Sequence, residues 1–514
     1  MSKVNVFVLA ITLVFAMTVG AAGESEESSA EGPVALAWAG LRLKSAGAAL
    51  YPKPDSPIIR EFNKALNVEL EAVMVDTFSD EEMNLLFASG EIPNHILANQ
   101  NRMLRYREEG LLRSIPIDMI KTHAPTYWQE YANGLAEGVW YQWPSYDRET
   151  ETLWAIPNGG SEIKQQIVTR ADWLKAVGAS VPTSVEEFAE VARKFTFDDP
   201  DGNGKQDTWG MAIGTNSWTT HLQTIMAAFG YEHIERPYLD PETGQISFFE
   251  VSSGFRDFLV FMNGMWEEGT IYPDITLPKK QNVGAIWQDG KVGFCGDSWT
   301  WVLPKYRPGT WFPNLLENDP AAEIAYLGQL TAKGHSPKWE FKPPLWTYHT
   351  IGKDTTDLQL GKILELINLQ MSDKFFHDLI WSGIEGEHFE YDADGVRQFL
   401  PSMSMEAQGD LGVKFFLTNI RDHKDWMFNA SFGPDAKVML QRQEDYSIVE
   451  PALGHGWVLD TQNQYRADLG RVRDEYMWKA ITGKANTTTD WDTYVSQWLK
   501  AGGQNVLDEA RSYK

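Results

Sequence analysis

The chain has 514 residues, with 45 basic against 71 acidic side chains for a formal charge of −26, and 43% hydrophobic content. That acidity argues against a nucleic-acid partner or an anionic membrane surface, because both require a basic face that displaces counterions. It does not exclude an anionic ligand, since a local cluster of Arg and Lys can oppose the global field. Cys295 is the single cysteine, so an intramolecular disulfide is excluded and stability has to come from core burial, for which this length suffices in two or three domains.

In chain order, Lys3 precedes an uncharged apolar run from Val4 to Val19 and then the small residues Gly20, Ala21, Ala22 and Gly23. This is the layout of a secretory signal peptide over 1–23, with an uncleaved anchor as the alternative. No cysteine stands at the small-residue site to take an acyl anchor, so the mature protein is expected to be free in the periplasm. Residues 24–33, ESEESSAEGP, read as a disordered acidic leader, and folding starts near Val34.

Ile58, Ile59, Phe62, Ala65 and Leu66 recur at helical spacing up to Asn67, after which Val68, Leu70, Ala72 and Met74 alternate as a strand. A helix fits Asp80 to Ser89, with Met83, Leu86 and Phe87 on one face and Gly90 as its stop, followed by the short apolar run Ile92 to Ala98. After the extended Trp154-Ala-Ile-Pro157, Ile163 to Val168 predicts a strand, and Thr183-Ser-Val-Glu186 a capping box opening a helix faced by Phe188, Val191, Ala192 and Phe195. Further helices fit Leu358 to Leu369, with Leu360, Ile363, Leu364 and Ile367 inward, and Trp491 to Lys500, stopped by Gly502 and Gly503. This alternation predicts an α/β chain of helix-covered sheets, and the length favours two lobes.

Several chemistries lack their residues. No Gly-Lys pair is followed by Ser or Thr, so there is no phosphate-cradling P-loop, and there is no His-Glu-x-x-His helix, Gly-x-Ser-x-Gly elbow or Cys/His cluster. A secreted glycosidase or lyase stays open, because a glycosidase needs only two suitably spaced carboxylates; Glu385 and Glu387 are the pair to inspect, against the plainer reading of solvated loop carboxylates. The loop Asp199-Pro-Asp201-Gly-Asn203-Gly204-Lys205-Gln-Asp207 places oxygen side chains at positions one, three, five and nine with Gly at six, as an EF-hand loop begins. The Lys205 carbonyl would complete the girdle of a structural calcium. The twelfth position is Gly210 rather than a bidentate Glu, and the alternative is a plain Asp/Asn/Gly turn.

Ala88-Ser-Gly-Glu-Ile-Pro93, Glu109-Gly-Leu-Leu112, Thr169-Arg-Ala-Asp-Trp-Leu174 with Val181-Pro-Thr183, and Trp287-Gln-Asp-Gly-Lys-Val-Gly-Phe294 through Gly296-Asp-Ser-Trp299 are met in this order. Together they resemble family 1 extracellular solute-binding proteins, from about Val34 to Trp491-Asp-Thr-Tyr494 and Gly502-Gly503. The Asp199–Asp207 loop resembles that of the large oligosaccharide-binding branch, which includes alginate-oligosaccharide binding proteins with a structural calcium; Thr208 departs from relatives that carry an acid there. The resemblance implies a two-lobed, type II-like periplasmic binding fold with hinge strands, no catalysis, and a monomer that delivers a carbohydrate to the permease of an ABC importer. The expected division is an N-lobe over 34–155, rejoined by part of about 325–375, and a C-lobe over 156–324, completed by much of 376–514. A non-sugar solute on the same scaffold is the remaining alternative.

A sugar site needs aromatic platforms for C–H faces and polar side chains for hydroxyls. Trp299, in a Gly-rich turn after an apolar strand, matches a family tryptophan that stacks on sugar. Trp38, Arg42 and Lys44 follow the first strand and Asn99 and Gln100 follow Ile96-Leu-Ala98, where α/β strands end and ligands bind. Trp218, Trp346, Trp381 and Glu385 are further loop candidates, and Arg42 with Lys44 would grip a uronate carboxylate. The hinge is expected near Trp154 to Asn158, where Pro157 keeps the chain extended.

Overall fold

The computed structural model describes residues 32–45, 48–129, 145–147, 149–158, 165–214, 218–230, 234–276, 283–298, 311–340, 347–418, 425–433, 448–449, 457 and 459–513. The signal segment, nearly all of the leader, Ile163, Trp299 and Trp346 lie outside the described residues.

The first lobe opens with β1 (Val34–Ala39) and α1 (Pro57–Leu66). Ser56 caps α1 by accepting from the Ile59 amide, Pro57 supplies a helical φ at the first turn, and Asn67 ends the helix in the left-handed region at φ 51°. The chain then runs directly into β2 (Val68–Ala72), where Val68 and Leu70 face inward and Glu69 and Glu71 outward. The expected alternation fails at Met74, which lies past the strand end and is 75% exposed. α2 (Asp80–Ala88) is capped by Ser79 and buries only Met83 fully, and Gly90 follows at φ 85°. β3 is His95–Ala98, shorter than the apolar run, and leads through Asn99 into α3 (Gln100–Glu108). β4 (Ala155–Asn158) closes the first pass through this lobe.

The second lobe begins with β5 (Gln165–Arg170) and α4 (Val185–Phe197). The cap of α4 is Ser184 rather than Thr183: Ser184 accepts from the Glu187 amide, while Glu187 reaches back to the Thr183 N–H and hydroxyl at 2.8 and 2.9 Å. β6 (Trp209–Met211), α5 (Trp218–Ala228), α6 (Ser253–Glu267), β7 (Val292–Ser298) and β8 (Ile324–Tyr326) follow. The chain returns to the first lobe as β9 (Thr347–Ile351), α7 (Asp357–Ser372), α8 (Lys374–Ser382), β10 (Phe389–Tyr391) and β11 (Arg397–Phe399). Thr356 and Gln359 form a reciprocal capping box at α7, and Leu360, Ile363, Leu364 and Ile367 are buried as expected. The second lobe is completed by α9 (Asp425–Phe432), α10 (Asp460–Ile481) and α11 (Trp491–Trp498). The helix predicted to stop at Gly502 and Gly503 instead turns through 499–503 and continues as a helix over Gln504–Ser512.

The first sheet has the order β2-β1-β3-β9-β4, and the second β6-β7-β5-β8. β1 is parallel to β2 and β3, while β9 runs antiparallel to β3 and β4. In the second sheet β7 is parallel to β6 and antiparallel to β5. The cores are separate. Ile58, Phe62, Ile156, Ile363 and Phe416 belong to one, and Phe188, Phe195, Leu222, Phe258 and Met477 to the other. The architecture is thus a two-lobed α/β fold with a helix-covered sheet in each lobe. One boundary differs from expectation: Leu379, Ile380, Trp381 and Leu411 to Leu417 pack into the first core, so the second lobe regains the chain only from α9 onward. The reason is α8, whose apolar face closes on α7 rather than on the second sheet.

Candidate functional site

The carboxyl ends of β1, β3 and β4 and the start of β9 share one edge of the first sheet, and the chain passes between the lobes from this edge. It leaves after Asn158, returns before Thr347, and leaves again after Thr418. These points are tied to one another. The Thr347 hydroxyl donates to the Asn158 carbonyl at 3.2 Å, and Asn158 Nδ2 donates to the Leu417 carbonyl at 3.1 Å. Gln370 of α7 accepts from the Thr418 amide at 2.8 Å and donates to the Phe416 carbonyl at 2.9 Å. All of these side chains are buried, where an unmade hydrogen bond would cost more than an exposed one. The sequence predicts the crossing near Trp154 to Asn158. The strand over 155–158 is instead a full member of the first sheet, and the crossing begins after Asn158. Asn158 ends the expected stretch, marked by Pro157 before it; Thr347, Gln370 and Thr418 were not expected at the crossing.

Two expected ligand contacts lie at this edge with partial exposure. Asn99 caps α3 by accepting from the Arg102 amide at 2.9 Å, and Gln100 begins that helix. Arg42, in the loop after β1, pairs through Nη2 with Asp76, which in turn accepts from the Phe78 amide at 3.0 Å. Its side chain is only 8% exposed, and its Nε is buried without a hydrogen-bond partner. Lys44 points outward from a small hairpin and is exposed, so the two bases do not form one paired clamp as placed.

Three tryptophans expected in loops facing the ligand are core residues instead. Trp38 is 1% exposed and stacks on His95 with ring centroids 3.5 Å apart. The parallel register explains this: Trp38 is level with His95, the first residue of β3, and thus well short of the sheet edge at Ala98. His95 Nε2 meets His349 Nδ1 at 2.8 Å, and burial lowers the His349 pKa to about 3, so both imidazoles are neutral at physiological pH. Trp218, the first residue of α5, is buried in the second core under Arg473, whose guanidinium lies 5.3 Å from its ring. Trp381, at the end of α8, is buried in the first core, with Arg397 and Lys414 over its indole at 5.8 and 5.3 Å. Neighbouring cations thus already use these two π-faces.

Beside Trp218, Arg473 Nη1 meets Glu235 at 3.0 Å and Glu250 at 3.8 Å, and Arg466 adds a contact to Glu235 at 2.8 Å. Glu250 is buried; desolvation raises its pKa to about 7 against the opposing pull of Arg473. Glu385 and Glu387 are exposed in a single turn between α8 and β10.

In the second lobe, Asp199, Gly202 and Gly204 take positive φ of 47°, 67° and 74°, which folds the 199–207 loop back on itself. Asp199 accepts from the Asn203 and Gly204 amides at 3.1 and 2.9 Å. Asn203 Nδ2 lies between Asp201 and Asp207, at 2.8 and 3.1 Å, and Lys291 reaches Asp207 at 2.8 Å. Partial desolvation, a hydrogen bond shared with Asp199 and the charge of Asp207 raise the Asp201 pKa; the Lys291 hydrogen bond lowers that of Asp207. The donor chemistry is that of a hard cation, and the partial positive charge of an amide N–H₂ stands between two of the carboxylates. Lys205 directs an exposed side chain away, so only its carbonyl would serve. Gly210 offers no ligand and is packed against Ala192 and the Thr270 carbonyl. Among the described residues, no three acidic, His or Cys side chains stand close enough to form a metal cluster.

No protein-family profile matches the chain. It is 25% identical to lipoprotein LipO of Bacillus subtilis over 89% of this chain and 88% of that protein. It is 22% identical to the polygalacturonan/rhamnogalacturonan-binding protein YtcQ of the same organism, over 98% and 97%. An extracellular solute-binding protein of Bifidobacterium longum subsp. infantis superposes with a TM-score of 0.67 at 16% identity, covering 95% of this chain and 99% of that one. The fructooligosaccharide-binding protein FusA of Streptococcus pneumoniae in complex with kestose gives 0.62 at 18%, over 93% and 98%. The alginate-binding protein AlgQ2, solved without calcium ion, gives 0.61 at 16%, over 94% and 98%.

Proposed function

We propose, from the premise of a two-lobed α/β fold shared with solute-binding proteins and of relatives named as glycan-binding proteins, one of them an ABC-transporter substrate-binding protein, that this chain binds an oligosaccharide between its lobes and delivers it to a membrane permease without transforming it. The observation that carries this reading is the shared edge: strand ends of the first sheet, and the crossings between two independent cores, lie together where a ligand touching both lobes would hold them in one arrangement. Such a ligand stabilises one lobe arrangement by its differential affinity, and a transporter can read that arrangement. Relatives named for polygalacturonan, rhamnogalacturonan and fructooligosaccharide support a glycan ligand over other solutes.

Arg42, Asn99 and Gln100 are proposed to line the ligand site from the first lobe, with Lys44 at its rim and Trp299 and Trp346 as stacking platforms. A uronate carboxylate would suit Arg42 as a partner that it can hold through two hydrogen bonds, in place of or beside Asp76. The protein acts outside the cytoplasm as a monomer. Among the described residues no helix is long and apolar enough to cross a membrane, and export is assigned to the segment 1–23. The 199–207 loop is proposed to hold a structural calcium through Asp199, Asp201, Asn203, Asp207 and the Lys205 carbonyl, which requires the Asn203 amide to turn its oxygen inward. The ion would brace the loop and supply no chemistry to a ligand.

A thermal-shift panel of neutral and acidic oligosaccharides tests the reading, because a specific ligand raises the melting midpoint by mass action, by about 2.7 kcal/mol of stability at a hundredfold excess over Kd. A rise without turnover of the glycan supports it, and a rise confined to uronates that weakens in Arg42→Ala assigns the carboxylate contact. Turnover of the glycan, or no response across the panel, overturns it.

A further inference from the structure

α9 packs on the second lobe through Phe428 and Phe432, which share a core with Val168, Trp287, Val292 and Cys295. The last turn of α9 is gripped from the first lobe. Arg397, the first residue of β11, donates through Nε to the Ala430 carbonyl at 3.2 Å and through Nη2 to the Ser431 hydroxyl at 2.6 Å. A helix leaves its final carbonyls without partners and presents a partial negative charge there, so an arginine at this end is both a donor and a charge complement. The guanidinium is fixed on its own side: Nη1 meets Asp378 of α8 at 3.2 Å, and the two side chains are only 4% and 8% exposed. Asp378 is held in turn by the Tyr391 hydroxyl at 2.7 Å and Lys374 at 2.6 Å. A second contact joins the same elements, with the His377 ring edge-on to Trp426 of α9 at 5.1 Å.

We infer that Arg397 is an interlobe latch, a positioning residue that holds the end of α9 against α8 and β11 and so sets the balance between lobe arrangements on which ligand affinity depends. The crossing residues Asn158, Thr347 and Thr418 bind the connecting segments to the first lobe alone, whereas Arg397 reaches an element of the second core. Removing it would leave the lobes joined but their relative placement less defined. A latch of this kind lowers the apparent affinity when it favours an arrangement that does not bind, and raises it when it favours one that does.

The inference rests on the reading of the lobes as the two jaws of a binding site, and its test is kept separate from that reading. Spin labels are placed at Asp118→Cys in the first lobe and Lys175→Cys in the second, both exposed positions, with Cys295 buried and unlabelled. Distances between the labels are measured by pulsed dipolar spectroscopy on the full chain with no glycan added. The expected result is that Arg397→Ala broadens the distribution or displaces its mean. Ser431→Ala, which removes one bond and leaves the Arg397–Asp378 pair intact, should shift it in the same direction with an unchanged melting midpoint. Distributions superimposable on wild type in both variants overturn the latch, whatever the glycan panel shows.

Discussion

Glu250 shows how one buried carboxyl gives stability a pH dependence. Its folded pKa of about 7 stands above its ordinary value of 4.5 because burial disfavours the ionised form more than Arg473 restores it. With the folded pKa raised, the contribution is fully present below about pH 4.5 and is lost as pH rises through about 7. In Glu250→Gln the side chain no longer titrates. The stability of wild type relative to this variant is therefore expected to fall between those two pH values, by at most about 3 kcal/mol, when urea unfolding is followed across the range. A constant difference would show that Arg473 keeps Glu250 ionised throughout. At the same scale, Trp38, Trp218 and Trp381 illustrate a limit of sequence reading: an indole at a strand end or helix end looks alike whether it faces a cleft or a core, and the neighbours that decide the matter, His95, Arg473 and Arg397, are remote in the chain or on another element.

At the scale of single elements, caps and helical faces could be read locally, whereas α10, the 22-residue helix over Asp460–Ile481, carried no such pattern and was not expected. Ser56, Pro57 and Asn67 fix both ends of α1, and the periodicity of Leu360, Ile363, Leu364 and Ile367 fixes the buried face of α7, because caps and helical faces involve residues only a few positions apart. The end of α11 was not legible. Gly502 adopts φ 119°, and a Cβ there would stand 2.2 Å from the Tyr465 ring of α10, so the glycine permits close packing and a turn rather than ending helical structure. The 199–207 loop likewise has an EF-hand-like sequence, yet its side chains are tied together by the Asn203 amide. If calcium braces it, a chelator should lower the melting midpoint, calcium should restore it, and Asp201→Ala should abolish the response. A midpoint indifferent to chelator, with no metal in the purified protein, would leave the loop as a hydrogen-bonded turn.

For the whole molecule, the separation of the two cores has a thermodynamic consequence. Among the described residues none belongs to both principal clusters, so denaturant unfolding without ligand is expected to show two transitions rather than one. Trp38→Ala should move only the transition of the first lobe and Trp173→Ala only that of the second, each by about 3–5 kcal/mol for loss of a buried large aromatic. Fluorescence and far-ultraviolet dichroism would follow both; a single transition displaced equally by either substitution would mean the lobes unfold as one unit.

The sequence by itself determined the alternation of helices and strands, the α/β class, the presence of two lobes and the resemblance to solute-binding proteins, because these depend on patterns carried by neighbouring residues or on the order of short motifs. The tertiary structure alone decided that 376–417 belongs with the first lobe, that Trp38 lies level with His95 below the sheet edge, and that Arg397 meets the end of α9. Each depends on strand register or on contacts between distant parts of the chain. Register is a property of a pair of strands, and the apolar pattern on β1 does not by itself say which residue of β3 stands level with Trp38; only their pairing in the folded sheet does.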